Sequence, residues 1–185
     1  MLAIPVDENI RMKQLVLLDG ESLFALTEKN REHLQPWIKW VNEITSVAAM
    51  RSFVRVTLSN AEHGERFAFG IWQHDQLIGL ANISVSHDSG YENRIGSLGY
   101  WLGKDFQGYG IVTRCVEALV SFGFERLCLQ CIEVRAGIDN IRSLAVPQRL
   151  GLKFQGILCK DYQVNDFPVD VAVYSVRKCE WKACS

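Results

Sequence analysis

The sequence contains no run of about 18 or more apolar residues, so it offers no candidate for a membrane-spanning helix. It also lacks an excess of either charge, because the formal net charge is −1, and this gives no indication of a nucleic-acid partner. The first residues, MLAIPVDENI, do not show the basic-then-apolar pattern of a signal peptide. We therefore expect a cytoplasmic protein that binds neither nucleic acid nor a membrane.

A metal-binding pattern is lacking as well. Cys128 and Cys131 form a C-x-x-C pair, but the only candidate for a second pair is Cys179 with Cys184, and no histidine lies near either pair. A structural zinc site needs four such ligands. The six cysteines are interpreted as reduced, buried thiols, no metal is expected, and no role is assigned to the four histidines.

What is present is an ordinary globular composition, with 48% hydrophobic and 22% charged residues in a chain of 185. Neither an internal repeat nor a Pro/Gly/Ser-rich linker divides the chain, so we expect a single domain over residues 1–185. Hydrophobic periodicity predicts the order β-α-α-β-β-β-α-β-α-β-β, a mixed α/β domain. The first strand is predicted over 10–18, with Asp19 as the cap of the helix that follows, and the fourth strand over 92–102.

The most informative segment is GYWLGKDFQGYGIVTR, residues Gly99 to Arg114, which reads as an aromatic strand, a short loop with glycines, and a helix. Backbone N–H groups at a helix start have no intrahelical partner and lie at the positive end of the helix dipole. They can therefore hold a diphosphate without a lysine. Glycines in such a loop let phosphate oxygens approach the amides closely.

Three phosphate-binding loops, and a purely structural turn, compete for this segment. A P-loop would need a Lys-Ser/Thr pair that is missing, and a dinucleotide fingerprint would need a glycine where Thr113 stands. The acetyl-CoA loop of the GNAT acetyltransferases, Q/R-x-x-G-x-G/A, matches at Gln107 and Gly110 and departs from the pattern at Val112. The acetyl-CoA loop is therefore the favoured interpretation.

Over nearly its whole length the sequence resembles the RimJ/RimL-type branch of the GNAT acetyltransferases. LQPWIKW is similar to that branch's L-x-P-W-x-x-W segment, DNIRSLAVPQRLGLKFQG to its N-x-x-S helix followed by G-[FL], and DVAVY to the D-x-x-x-Y stretch of its last strand. The resemblance implies the GNAT acyl-CoA N-acyltransferase fold, a mostly antiparallel sheet flanked by helices and splayed between its fourth and fifth strands. The slot between those strands would take CoA.

The resemblance also implies a set of site residues. The acetyl-CoA site would be formed by Tyr100, Trp101, Leu102, Gln107, Gly108, Tyr109, Gly110, Ile111, Val112, Thr113, Asn140 and Ser143. Trp37 and Trp40 would line the acceptor pocket, and buried packing is the alternative for both. Asn140 and Ser143 are alternatively plain helix-capping residues.

Amide formation needs a neutral amine, a stabilised oxyanion and a protonated leaving thiolate. We expect a backbone N–H of Trp101 or Leu102 at the oxyanion, and Ser143 or else Tyr162 as the acid for the thiolate. Some relatives place a glutamate base where Tyr162 stands here, so Asp161, a water, or an acceptor that loses its proton easily would replace that base. Tyr162 is alternatively an ordinary strand aromatic.

The acceptor remains open between several chemistries. An α-amino group, with a pKa of about 7.7–8.0, is roughly a tenth neutral at pH 7, whereas a lysine amine near 10.4 needs more help. The resemblance favours the α-amino terminus of a protein, such as a ribosomal protein, with a homodimer as a further expectation. The alternatives are a small amine (a polyamine, amino acid or aminoglycoside) and a non-catalytic module that senses acyl-CoA.

Overall fold

The computed structural model describes residues 2–86, 94–164 and 167–182, without the side chains of 160–164 and 167. The strands are β1 (Ala3–Pro5), β2 (Ile10–Gln14), β3 (Arg66–Gln73), β4 (Gln76–Ser86), β5 (Ile95–Leu102), β6 (Cys131–Gly137), β7 (Lys153–Val164) and β8 (Phe167–Arg177). The helices are α1 (Gly20–Lys29), α2 (Arg31–Leu34), α3 (Trp40–Glu43), α4 (Val47–Glu62), α5 (Ile111–Glu125) and α6 (Ile141–Arg149). Among the described residues, no helix is long and apolar enough to cross a membrane.

The strands form one mixed sheet in the order β1-β2-β3-β4-β5-β6-β8-β7. The sheet is covered by helices on both faces, which explains why the central strands are almost continuously apolar. Along β3, Phe69 and Ile71 pack in the cluster that includes residues of α5. The alternate residues Ala68 and Trp72 pack in a second cluster with residues of α1 and α4. Because successive side chains of a strand point to opposite faces, one apolar strand supplies both layers of the core.

The sheet opens at its centre, where two parallel strands separate. β5 and β6 are paired from Ile95 with Cys131 to Leu98 with Val134, and the pairing stops there. Beyond that point, within the described residues, β5 pairs with β4 alone and β6 pairs with β8 alone. The predicted splayed sheet is therefore confirmed, and the predicted strands four and five are β5 and β6, since the short β1 precedes them.

The structure differs from the prediction at the start of the chain. The first predicted strand ends at Gln14 instead of residue 18, and Leu17–Asp19 form a short 3-10 turn. The carboxylate of Asp19 accepts from the backbone N–H of Val16 at 2.8 Å and makes no capping bond to α1. Asp19 therefore holds the predicted N-cap position of α1, but its side chain makes no cap bond, because the carboxylate bonds an amide of the preceding turn instead.

The cysteines differ from the expectation too. Of the five described, all are free thiols, but only Cys115 is buried, and Cys128, Cys159 and Cys179 are exposed. Burial was expected from residue type alone, and that inference failed because these positions lie on turns and strand faces at the surface. Cys184 lies outside the described residues.

Candidate active site

The separation of β5 from β6 forms a cleft of about 1600 Å³. It is lined by the free end of β5, the loop that precedes α5, the first turns of α5 and α6, and residues of the segment between α2 and α3. Most of the predicted site residues meet there, namely Trp37, Trp40, Tyr100, Trp101, Leu102, Gln107, Gly108, Gly110, Ile111, Val112, Thr113, Asn140 and Ser143.

Three predicted site residues are placed otherwise. Tyr109 is 71% exposed and lies against a smaller neighbouring cavity of about 580 Å³, which Asp7 and Arg114 also line. The backbone of Asp161 and Tyr162 belongs to β7, and the side chains of both lie outside the described residues. Their catalytic roles therefore stay predictions.

The loop before α5 has the geometry of an anion-binding helix start. Gly108 and Gly110 have φ angles of +89° and +70°, a region that residues with a Cβ rarely adopt. α5 begins at Ile111, so the backbone N–H groups of its first turn have no partner within the helix. A Cβ at Gly108 would meet nothing within 4 Å, so the loop leaves open space on this side for a ligand. This arrangement fits a diphosphate.

The lining of the cleft is cationic although the whole chain carries a net charge of −1. Two of its described residues are carboxylates, Asp139 and Asp170. Six are arginine or lysine, namely Arg66, Lys104, Arg114, Arg135, Arg142 and Arg149. Arg114 and Arg135 are paired with Asp7 and Glu133, which lie outside this lining, so the excess is smaller than the count of six to two. The excess that is left still attracts anions, and CoA with its phosphates is a polyanion.

Gln107 fastens the loop to two helices. Its Nε2 donates to the carbonyl of Leu102 at 3.1 Å and lies 2.7 Å from Nε2 of His33, and its Oε1 accepts from the guanidinium of Arg142 at 2.8 Å. A carbonyl only accepts and a guanidinium only donates, so these two bonds fix the orientation of the amide. Nε2 of His33 must then accept, which requires a neutral ring with its proton on Nδ1.

The surroundings of His33 favour this neutral form. Burial, followed by the positive charges of Arg142 and Lys104, lowers the pKa of His33 below its usual 6.5. Sequence analysis gave His33 no role and did not single out Arg142. Both lie far from Gln107 along the chain, and no local motif marks the contact.

The backbone N–H groups along β5 point alternately to its two sides, and this decides which of them face the cleft. The N–H of Gly103 donates to the carbonyl of Ile78, which lies on β4. The carbonyl of Leu102 accepts from the side chain of Gln107, on the side of β5 away from β4. In a strand, the N–H and C=O of one residue point to the same side, and consecutive residues alternate. The amides of Tyr100 and Leu102 therefore point into the gap between β5 and β6, and the amide of Trp101 points to β4. Of the two predicted oxyanion donors, the geometry favours Leu102.

The backbone N–H and the backbone carbonyl of Ser143 are both hydrogen-bonded to side chains. Oδ1 of Asn140 accepts from the N–H of Ser143 at 3.2 Å, so Asn140 caps α6 as its alternative interpretation predicts. The hydroxyl of Tyr100 donates to the carbonyl of Ser143 at 2.8 Å. Burial raises the pKa of Tyr100 well above 10, so this hydroxyl keeps its proton at neutral pH.

The two tryptophans occupy different environments at the mouth of the cleft. Trp37 is 37% exposed, and its ring would lie 3.7 Å from a Cβ at Gly137, the end of β6. Trp40 stacks on Phe53 with ring centroids 4.9 Å apart, so packing accounts for much of its surface. Trp37 is therefore the better placed of the two to meet an acceptor.

A sheet opened between parallel strands, with a glycine loop and a free helix start beside the gap, defines the class of acyl-CoA-dependent transferases. The family described as Acetyltransferase (GNAT) domain matches residues 9–153. The chain belongs to this family, and it is an acetyltransferase whose donor is acetyl-CoA.

Relatives cover almost the whole chain. The candidate ribosomal N-acetyltransferase YdaF of Bacillus subtilis (strain 168) is 28% identical over 98% of both chains. The ribosomal-protein-serine acetyltransferase of Escherichia coli (strain K12) is 26% identical over 93% of this chain and 94% of its own. A solved structure of the RimL ribosomal alpha-N-protein acetyltransferase in complex with coenzyme A has the same fold, with a TM-score of 0.88, 22% identity, and coverage of 95% and 98%.

Proposed function

We propose that this acetyltransferase acts on the α-amino terminus of a protein, with a ribosomal protein as the favoured acceptor. The names of the relatives in Bacillus subtilis and Escherichia coli support this choice. The observation that carries it is the small number of carboxylates in the cleft, because its described lining contains two, Asp139 and Asp170. Polycationic acceptors such as spermidine or an aminoglycoside carry several ammonium groups and need several carboxylates to bind them, whereas a protein N-terminus brings a single positive charge.

The small number of carboxylates also limits the candidates for a general base that deprotonates the acceptor amine. Of the described lining residues, Asp139 lies exposed just before α6 and Asp170 lies half-buried on β8. An α-amino group with a pKa of about 7.7–8.0 is partly neutral at pH 7 and needs no strong base, whereas a lysine side chain does. The composition of the cleft therefore favours an α-amine over a lysine.

The residues take the following roles in the proposed reaction. The amides of the first turn of α5, after Gly108 and Gly110, hold the diphosphate. The neutral amine attacks the thioester carbonyl, whose oxyanion is held by the N–H of Leu102. As the C–S bond breaks, the hydroxyl of Ser143 donates its proton to the thiolate. The new amide nitrogen loses a proton to water or to a base such as Asp161, and that proton returns to the Ser143 oxygen. Tyr162 is the second candidate for the acid.

Other properties belong to the same proposal. Trp37 lines the acceptor side of the cleft, and Trp40 contributes mainly by supporting it through Phe53. The protein works as one domain over 1–185, without a metal, in the cytoplasm where ribosomal proteins are made. We also propose that the protein forms a homodimer.

The test is release of the free CoA thiol from acetyl-CoA with a panel of acceptors. The panel contains peptides that start with Ser or Ala, the same peptides with a blocked α-amine, spermidine, amino acids and an aminoglycoside. We expect release only with free N-terminal peptides, and mass spectrometry should place one acetyl group on the α-nitrogen.

Other patterns would refute the proposed acceptor. Release of the CoA thiol with small amines alone would indicate a metabolic or detoxifying enzyme instead. Equal release with blocked peptides that contain a lysine would show that the acceptor is a side chain. Tight binding of acetyl-CoA without release to a ribosomal-protein extract would support a sensor.

A further inference from the structure

α6 contains a proline where a regular helix needs a backbone donor. In an α-helix the carbonyl of residue 143 accepts from the N–H of residue 147, four positions later. Residue 147 is Pro147, which has no N–H and whose ring crowds that same carbonyl. The carbonyl of Ser143 therefore has no i+4 partner within α6, although it lies in a half-buried part of the helix. A backbone carbonyl in such a place needs another donor.

Tyr100 supplies that donor from the opposite wall of the cleft. Its hydroxyl lies 2.8 Å from the carbonyl oxygen of Ser143, 43 residues away along the chain. Tyr100 stands on the part of β5 that has separated from β6, and α6 follows directly after β6. The bond therefore ties the two arms of the open sheet together at the level of Ser143.

We propose that Pro147 and Tyr100 act as a matched pair that positions Ser143 for transfer of the acetyl group. Pro147 leaves the carbonyl of Ser143 without its helical partner, and the hydroxyl of Tyr100 donates a hydrogen bond to that carbonyl from the other wall of the cleft. With Asn140 on the N–H, both polar groups of the Ser143 backbone are held by side chains. Tyr100 is in this respect a positioning residue, and its effect on turnover rests on the proposed role of Ser143.

The test is a double-mutant cycle of Tyr100→Phe and Pro147→Ala. Tyr100→Phe removes only the hydroxyl and keeps the ring in place. Pro147→Ala restores the N–H that a helix would use, so the carbonyl of Ser143 regains a partner within α6. The phenylalanine substitution should then be harmful with Pro147 present and nearly neutral with Ala at this position.

Two quantities are measured, the melting temperature, which does not depend on the proposed mechanism, and kcat, which does. In the wild-type background Tyr100→Phe should lower the melting temperature by about 2–4 °C. It should lower kcat about tenfold, with KM for acetyl-CoA changed less than about twofold, since a misplaced acid slows the chemical step. In the Pro147→Ala background both losses should largely vanish.

The outcomes separate the inference from the function on which it rests. Equal losses in both backgrounds, in melting temperature and in kcat, would overturn the pairing of Pro147 with Tyr100. Ser143→Ala is measured beside the cycle. Full turnover of that variant would overturn the role of Ser143 and with it the positioning role of Tyr100. A loss of turnover in Ser143→Ala, together with non-additive values in the cycle, would support both.

Discussion

Gly110→Ala should weaken both the fold and the binding of acetyl-CoA, whereas the same change at a matched glycine outside the cleft should weaken the fold alone. Gly110 has a φ of +70°, and a Cβ added there would lie 3.2 Å from the guanidinium of Arg114, at the start of α5. Holding an alanine in this left-handed region costs about 1–2 kcal/mol, which corresponds to a fall of about 2–8 °C in melting temperature. The loop can relieve the strain only by moving the amides of the first turn of α5.

The loss in binding follows from the number of amides displaced. One hydrogen bond from an amide to a charged phosphate contributes about 1.5–3 kcal/mol. Losing one such bond should raise the Kd of acetyl-CoA about tenfold to a hundredfold. Isothermal titration calorimetry measures this, with the melting temperature of each variant determined in parallel.

Gly64→Ala is the matched control. Gly64 has nearly the same φ, +73°, and open space around it, but it follows α4 and does not line the cleft. It should lose as much stability as Gly110→Ala and keep the Kd of the wild type. If Gly110→Ala bound acetyl-CoA as tightly as Gly64→Ala, the assignment of this loop to the diphosphate would be refuted.

Three further predictions concern the other walls of the cleft. Ser143→Ala should lower kcat by at least about tenfold in the thiol-release assay and change the Kd of acetyl-CoA much less, whereas an unchanged kcat would exclude Ser143 as the acid. Burial lowers the pKa of His33 in the folded protein below the value of about 6.5 in the unfolded chain. The contribution of the neutral ring to the free energy of unfolding is therefore complete above about pH 6.5 and is lost as the pH falls through the folded-state pKa. Denaturant unfolding at pH 7 and pH 5 should therefore show a smaller acid loss in His33→Gln, whose amide oxygen can still accept from Gln107, and equal losses would contradict the neutral-histidine contact. Trp37→Ala should raise KM for the acceptor peptide several-fold without changing KM for acetyl-CoA, and Trp40→Ala, which removes the stack on Phe53, should mainly lower the melting temperature.

Local patterns predicted much of this protein. The succession of strands before the glycine loop, the helix after Gly110, and the separation of two strands are all present in the structure. Such features depend on residues close together in the chain, or on a whole segment that resembles a family. At Asp19 the predicted cap position is correct, but the carboxylate bonds the amide of Val16 instead of an amide of α1, and sequence alone does not choose between these two bonds.

The sequence by itself determined that residue 147 cannot donate a backbone hydrogen bond, that the loop before α5 can expose its amides, and that the chain resembles an acetyl-CoA enzyme. Only the tertiary structure decided that Tyr100 fills the place of the missing donor, and that Gln107 joins His33 at a separation of 74 residues and Arg142 at 35. The physical reason is that a side-chain hydrogen bond forms within about 3 Å, and which distant residues come that close depends on how helices pack on the opened sheet. Chain composition and periodicity fix which face of an element is buried, but they do not fix its neighbour to this accuracy.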